Sequence, residues 1–178
     1  MKIHKAIEFA AIAHKTQVRK STDVPYIVHL FEVSIILAQN NANDDVICAG
    51  ILHDTLEDTK TTKDDLIENF GDYIASLVSA NSENKILTWE ERKEETLRYL
   101  SEEATKEELF VACADKLSNI RSLQYDYDKW GDELWSHFKR AYDKQKWYYT
   151  GLITALKKIN DTKMYEEFKE TVHKVFNK

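Results

Sequence analysis

Fourteen residues decide the fold of this chain: Val46-Ile-Cys-Ala-Gly-Ile-Leu-His-Asp-Thr-Leu-Glu-Asp-Thr59. Seven apolar or small residues follow one another, and they give way to His53, Asp54, Glu57 and Asp58. A segment built for burial therefore ends in four ionisable side chains. If the stretch forms one helix, spacings of three and four residues place all four side chains on one two-turn surface.

Three carboxylates on such a surface repel one another unless something offsets their charge. A divalent cation removes this repulsion, and a His-Asp pair is ligand chemistry suited to Mn, Fe or Zn. The alternative is a solvated helix end, in which Asp54, Glu57 and Asp58 face water. The His53-Asp54 dipeptide alone does not decide between the two.

The composition predicts a single all-α domain. The chain has 178 residues, which suffices for one core of ordinary size and not for two. One Pro and four Gly, beside 31% charged residues, favour long helices joined by short turns over a strand-rich fold. We therefore expect residues 1–178 to form one helical domain.

Charge and hydropathy argue against several classes of protein. The net charge of −6 speaks against a nucleic-acid surface, which carries a basic excess. Glu8 and His14 interrupt the apolar residues near the N-terminus, so we expect no secretory signal. The longest apolar run is too short to span a bilayer. We expect a cytoplasmic protein without membrane partners, in which Cys48 and Cys113 are buried free thiols.

Capping patterns predict where several helices begin. Three Thr residues are followed three positions later by Asp or Glu: Thr62 with Asp65, Thr88 with Glu91, and Thr105 with Glu108. Asp44 is expected to cap the helix that carries the central stretch, and Gly71 to end the next one. A polar turn is expected at 124–131, before an aromatic helical region at 133–158 and a last helix from Thr162.

Further candidate site residues lie around the central stretch. Arg19 and Lys20 are adjacent in a polar loop, and Lys85 lies in a second predicted loop. Each cation either reaches an anionic ligand or solvates its loop. His29 lies near the start of the second helix, where a lone His is by default a hydrogen-bonded core residue.

Asp115 interrupts an otherwise buried helical face, and Asn119 follows it four residues later. Burying an isolated carboxylate is costly unless it is paired or bound to a metal. A salt bridge to an Arg such as Arg92 is the alternative to a metal-ligand role.

Four motifs in this order carry a resemblance to a known family: Ala10-Ala-Ile-Ala-His-Lys-Thr-Gln-Val-Arg-Lys20, Pro25-Tyr-Ile-Val-His29, Leu52-His-Asp-Thr-Leu-Glu-Asp-Thr59 and Ala114-Asp-Lys-Leu-Ser-Asn-Ile-Arg121. With these motifs the chain resembles the HD-domain alarmone hydrolases, the RelA/SpoT-type enzymes and their small stand-alone relatives. Enzymes of that family remove the 3′-pyrophosphate of (p)ppGpp. The resemblance covers Ile3 to Leu123 and is looser beyond.

The resemblance implies an HD-domain bundle of roughly eight helices. It also implies Mn²⁺ as the metal, with another divalent transition metal as the alternative. The implied metal ligands are His29, His53, Asp54 and Asp115. The implied catalytic pair is Glu57 and Asp58. The implied substrate contacts are Arg19, Lys20 and Asn119, to which we add Lys85 on its charge as a weaker candidate.

The reaction that follows is metal-dependent hydrolysis of (p)ppGpp to pyrophosphate and GDP or GTP. The metal lowers the pKa of a water molecule and polarises a phosphoryl oxygen, while Glu57 and Asp58 orient or deprotonate that water. Arg19 and Lys20 offset the charge of a nucleotide that an acidic protein otherwise repels. The chain has no room for a synthetase domain, so we expect the hydrolase alone.

Two alternatives stay open. One is an HD-superfamily phosphohydrolase that acts on another nucleotide, such as a nucleoside monophosphate or a dinucleotide cofactor phosphate of the NADPH type. The other is a non-catalytic nucleotide-binding module, against which the intact ligand set and the Glu57-Asp58 pair argue. Three departures from the family bear on substrate preference: a loop Ser21-Thr-Asp-Val24 without Gly, Leu30 where Pro commonly follows the His, and Ala112 where the larger enzymes usually have Lys.

Overall fold

All regular secondary structure in the described part of the chain is helical, which confirms the all-α prediction. The computed structural model describes residues 1–19, 22–138 and 140–176. Within these ranges lie ten α-helices: α1 Lys2–Ala13, α2 Ile27–Gln39, α3 Asp44–Leu52, α4 Thr55–Asp58, α5 Lys63–Phe70, α6 Asp72–Ala80, α7 Trp89–Glu102, α8 Lys106–Trp130, α9 Tyr142–Ala155 and α10 Lys163–Phe176. Two 3-10 helices, Gly131–His137 and Lys157–Ile159, flank α9. The count exceeds the expected eight partly because α4 is a separate helix of four residues.

The three predicted capping boxes are present at the starts of α5, α7 and α8. The start of α3 differs from the prediction, because Asn43 and not Asp44 caps it. The Asn43 side chain accepts a 3.0 Å hydrogen bond from the Val46 amide. Asp44 is the first helical residue, where its charge still favours the positive end of the helix dipole.

The polar turn expected at 124–131 was wrong, because α8 continues through these residues to Trp130. Polar side chains on the outer face do not end a helix; Gly131 ends it, with a positive φ of 58°. Even α8, which has 25 residues, is not apolar enough to cross a membrane, and neither is any other helix in the described ranges.

Helix α8 runs through the core and packs against α2, α3 and α10, while α3 also packs against α1 and α2. Gly50 permits the close approach of α3 to α2. A Cβ atom at this position would clash with the Leu37 side chain and lie 3.2 Å from Val33 Cγ1. Because α2 carries His29 and α3 leads into His53, this contact brings the two imidazoles together. Cys48 and Cys113 are buried and free, as expected.

Candidate metal centre

The central stretch is not one continuous helix. Helix α3 ends at Leu52, His53 and Asp54 form the junction, and α4 begins at Thr55. The Thr55 hydroxyl donates a 2.6 Å hydrogen bond to the Leu52 carbonyl, a local bond that competes with the regular helical pattern. The single surface proposed for four ionisable side chains was therefore wrong: His53 and Asp54 meet His29 and Asp115, whereas Glu57 contacts the loop between α6 and α7.

Four predicted ligands from three separate parts of the chain converge at one point. The nitrogen His29 Nε2 lies 3.1 Å from Asp115 Oδ1 and 3.7 Å from Asp54 Oδ2. The nitrogen His53 Nε2 lies 3.0 Å from Asp54 Oδ2 and 3.6 Å from Asp115 Oδ1. One ligand atom each from His29, His53 and Asp115 lies within 4.8 Å of the other two.

The orientation of both imidazoles suits a metal ion. The Nδ1 atom of His53 donates to the Gly50 carbonyl at 2.8 Å, and His29 Nδ1 lies 2.8 Å from Ser118 Oγ. Each ring therefore turns Nε2 toward the carboxylates. His53 Nε2 is buried, and its contact with Asp54 lacks hydrogen-bond geometry, so it has no hydrogen-bond partner among the described residues. Two imidazoles whose Nδ1 atoms are hydrogen-bonded, together with two carboxylates, are a ligand set that fits a divalent transition metal.

The pKa values of these groups show that the centre attracts positive charge. Burial opposes ionisation of Asp54, but the adjacent His53 lowers the pKa of Asp54 to about 2. Burial also opposes the charge of Asp115, but Lys116 and the imidazoles hold its pKa well below the usual range. Burial lowers the pKa of His53, yet Asp54 and Asp115 raise it to a net value well above normal. A centre that favours protonated imidazole also favours a divalent cation.

Asp115 is held by neighbours on its own helix. Lys116 Nζ and Asn119 Nδ2 each donate to it at 2.6 Å. The alternative of a salt bridge to Arg92 was wrong, because Arg92 Nη1 lies 3.0 Å from Glu83 Oε2. The predicted substrate residue Asn119 is thus a direct neighbour of the centre, with one amide hydrogen committed to Asp115.

Glu57 and Asp58 lie beside the loop that joins α6 to α7. The Glu83 amide donates a 3.2 Å hydrogen bond to Glu57 Oε2. Lys85 Nζ donates to Asp58 Oδ1 at 2.6 Å and to the Glu57 carbonyl at 2.7 Å. Burial raises the pKa of Glu57 above its ordinary value. A carboxylate with a raised pKa is better suited to accept a proton near neutral pH.

The predicted cations differ in their surroundings. Arg19 Nη2 donates a 2.8 Å hydrogen bond to Ser122 Oγ. Ser122 lies seven residues after Asp115 on α8, on the same helical face, so Arg19 lies along the surface that leads from the centre. Lys20 lies outside the described residues. Lys85 is exposed and pairs with Asp58.

Comparison with known proteins places the chain in a family. Residues 6–141 match a protein family described as HD domain. The chain belongs to the HD domain family.

Named relatives of this HD domain include two hydrolases. A guanosine-3′,5′-bis(diphosphate) 3′-pyrophosphohydrolase of Aquifex aeolicus is 36% identical over 124 residues, which cover 68% of this chain. Those residues span only 18% of the Aquifex protein. The Drosophila melanogaster guanosine-3′,5′-bis(diphosphate) 3′-pyrophosphohydrolase MESH1 is 33% identical over 126 residues, which cover 69% of this chain and 70% of the relative.

A solved structure confirms the fold of this HD domain. The structure is that of a metazoan orthologue of SpoT, described as hydrolysing ppGpp. It superposes with a TM-score of 0.79 at 25% identity and covers 99% of this chain and 94% of its own.

A cavity of 380 Å³ lies between α6, α7 and α8 of the HD domain and adjoins the candidate metal centre. Its wall includes Lys116, which contacts Asp115, and Glu83, whose amide contacts Glu57. Ala112, one of the departures from the family pattern, also lines this cavity. The departure therefore lies in a cavity wall next to the candidate site.

Sequence reasoning gave no role to three side chains that hold the ligands of this HD domain: Tyr26, Lys116 and Ser118. The Tyr26 hydroxyl donates a 2.7 Å hydrogen bond to Asp54 Oδ2. All three residues lie inside the motifs that carried the family resemblance. The contacts of Tyr26 with Asp54 and of Ser118 with His29 join residues 28 and 89 positions apart, which no local pattern encodes. Lys116, in contrast, is the chain neighbour of the residue that it holds, Asp115.

Proposed function

We propose that this HD domain hydrolyses the 3′-pyrophosphate of (p)ppGpp to give pyrophosphate and GDP or GTP. The convergence of His29, His53, Asp54 and Asp115, with His53 Nε2 free of a hydrogen-bond partner, carries the proposal. These four side chains would hold Mn²⁺ or another divalent transition metal. The activity named for the relatives supports this choice of substrate.

The residues of the chain divide the work of hydrolysis. A divalent ion, when bound, acidifies water and polarises a phosphoryl oxygen. The hydrogen bonds to Nδ1 of His29 and His53 keep the rings oriented, so the ligands need no rearrangement. Glu57, whose pKa burial raises, accepts the proton of the attacking water. Asp58, held by Lys85, orients that water.

Substrate binding is proposed for the cations and the amide near the centre. Arg19 pairs with a phosphate of the nucleotide, since its contact with Ser122 aims the guanidinium along the face of α8. Asn119 extends this contact surface, and Lys20 is proposed as a further phosphate contact on its charge alone. Lys85 is proposed to contact the substrate while it also forms its ion pair with Asp58.

The proposed domain spans residues 1–178. A buried apolar cluster that extends from Ala6 to Phe176 supports this extent. Cytoplasmic location and the absence of a nucleic-acid partner stay predictions.

Product analysis tests the proposal. The Mn²⁺-loaded protein is incubated separately with ppGpp, NADPH and nucleoside monophosphates, and Asp54→Asn serves as the control for contaminating activity. Pyrophosphate and GDP from ppGpp are expected. Inorganic phosphate from NADPH or a monophosphate, with ppGpp intact, would assign the domain to the wider class of phosphohydrolases. Binding of ppGpp without turnover would instead make it a binding module.

A further inference from the structure

A chain of hydrogen bonds connects His29 to the surface of the protein on the side away from the carboxylates. His29 Nδ1 lies 2.8 Å from Ser118 Oγ, and the Ser118 hydroxyl donates to Glu32 Oε2 at 2.8 Å. Arg121 Nη1 donates to Glu32 Oε1 at 2.9 Å, and Arg121 also pairs with Glu167 of α10. These hydrogen bonds join α2 to α8 through the fully buried Ser118, and Arg121 extends the connection to α10.

The donors and acceptors between His29 Nδ1 and an ionised Glu32 can be arranged in only one way. A serine hydroxyl has one hydrogen, and an ionised carboxylate only accepts. Because Ser118 donates its hydrogen to Glu32, the contact between His29 and Ser118 requires a hydrogen on His29 Nδ1. In the neutral ring, that tautomer leaves the Nε2 lone pair free for a metal ion.

We infer that Glu32 is a positioning residue for metal binding, which acts through Ser118 on the tautomer of His29. This inference rests on the metal site of the proposed function but not on the identity of its substrate. Outer hydrogen-bond partners of metal-bound histidines typically contribute 10 to 100-fold in metal affinity. Glu32 does not contact His29 directly; it contacts Ser118, which is the hydrogen-bond partner of His29.

Arg121 makes the inference testable by one substitution, Glu32→Gln, because it fixes the orientation of the new amide group. In Glu32→Gln the side-chain oxygen must face Arg121, which only donates. The amide NH₂ group then faces Ser118 and donates to it. The Ser118 hydrogen turns toward His29 Nδ1 and favours a hydrogen on Nε2, where the metal should bind. Retaining the metal would force Ser118 to accept two hydrogen bonds and leave its own buried hydrogen without an acceptor, which is costly.

The experiment measures Mn²⁺ affinity without substrate, by competition with a chelator, for the whole chain. Glu32→Gln should bind Mn²⁺ about 10 to 100-fold more weakly than wild type. In an Arg121→Met background the Gln amide can reverse, so the same substitution should weaken binding by less than about tenfold, which is below the range expected for the loss of an outer partner. Equal affinities of wild type and Glu32→Gln would overturn the inference.

The Arg121→Met background also distinguishes the tautomer from simple charge. If Glu32 acted only through its negative charge, Glu32→Gln would weaken Mn²⁺ binding equally with and without Arg121, and that result would overturn the inference. Ser118→Ala is the second variant, because it removes both hydrogen bonds of Ser118 and leaves Glu32 in place. It should weaken binding, and adding Glu32→Gln to it should have no further effect. Unchanged affinity in Ser118→Ala would refute the role of the chain, whatever reaction the domain catalyses.

Discussion

Lys85 Nζ lies 2.6 Å from Asp58 Oδ1, so a lysine of the loop between α6 and α7 neutralises one member of the proposed catalytic pair. Burial lowers the pKa of Lys85, but Asp58 and Glu57 raise it to a net value above normal. The ammonium group is therefore charged at neutral pH. Its distance from the nearer Glu57 carboxylate oxygen is 3.7 Å, which leaves Glu57 as the less engaged carboxylate. This arrangement favours Glu57 as the base and Asp58 as the orienting residue.

Glu57→Gln and Asp58→Asn should each lower turnover while the metal stays bound. Neither substitution alters His29, His53, Asp54 or Asp115. General acid-base assistance is typically worth about 10² to 10⁴-fold, so kcat should fall within that range while KM changes little. Steady-state kinetics with ppGpp, beside metal analysis of the same samples, provide the measurement.

Asp54→Asn is the matched control for these two variants. It replaces a carboxylate of the same segment by its amide but removes a proposed ligand, so metal content should fall together with rate. Near-normal turnover in both Glu57→Gln and Asp58→Asn would show that the pair is not catalytic. Loss of metal from those two variants would make them ligands and refute their assigned roles.

The pH dependence of the reaction should report the raised pKa of Glu57. A general base must be ionised, and burial shifts the pKa of this carboxyl above its ordinary value. Activity should therefore decline on acidification at a higher pH than an ordinary Glu, with a pKa of about 4.3, would produce. The profile of kcat/KM should lose this acidic decline in the residual activity of Glu57→Gln. An identical decline in wild type and variant would assign it to another group.

Arg19→Ala should mainly weaken substrate binding. Arg19 contacts Ser122 and takes no part in the proposed proton transfer, so the loss of its charge should raise KM by about tenfold, as for one charge-assisted hydrogen bond, with a smaller effect on kcat. Ser122→Ala keeps the charge but releases the guanidinium, and should raise KM less. Lys106→Ala, about 13 Å from Asp115 along α8, removes a distant cation and should change neither constant. If Arg19→Ala behaved like Lys106→Ala, the loop cation would be only a solvated side chain.

The parts of this fold that the sequence predicts are those encoded by neighbouring residues. Thr88 and Glu91 form a capping box within a single turn, so the start of α7 was predicted correctly. The break between α3 and α4 falls at His53 and Asp54, inside a stretch of regular helical spacing, so helical periodicity does not reveal it.

Long-range contacts of the site were predictable only in part. Family resemblance grouped His29 with Asp115, and in the structure His29 Nε2 lies 3.1 Å from Asp115 Oδ1. The contact between Arg19 and Ser122 joins residues 103 positions apart, and it follows from the packing of the loop on α8. The charge of Lys85 was recognised in the sequence, but its pairing with Asp58, 27 positions away, was not predicted.

Removal of the metal should abolish activity but leave the protein folded. Without a divalent ion, Asp54 and Asp115 still pair with His53, His29 and Lys116, so each of these two carboxylates keeps a partner. An ion at 100 times its dissociation constant adds about 2.7 kcal/mol of stability, which corresponds to about 5 to 10 °C in Tm for a chain of this length. Chelation should lower Tm by this amount, and Mn²⁺ should restore both Tm and activity. In Asp54→Asn the difference in Tm with and without Mn²⁺ should shrink, because one ligand is missing. Full activity and an unchanged Tm in a strong chelator would show that the four side chains form a structural ion-pair cluster instead of a metal site.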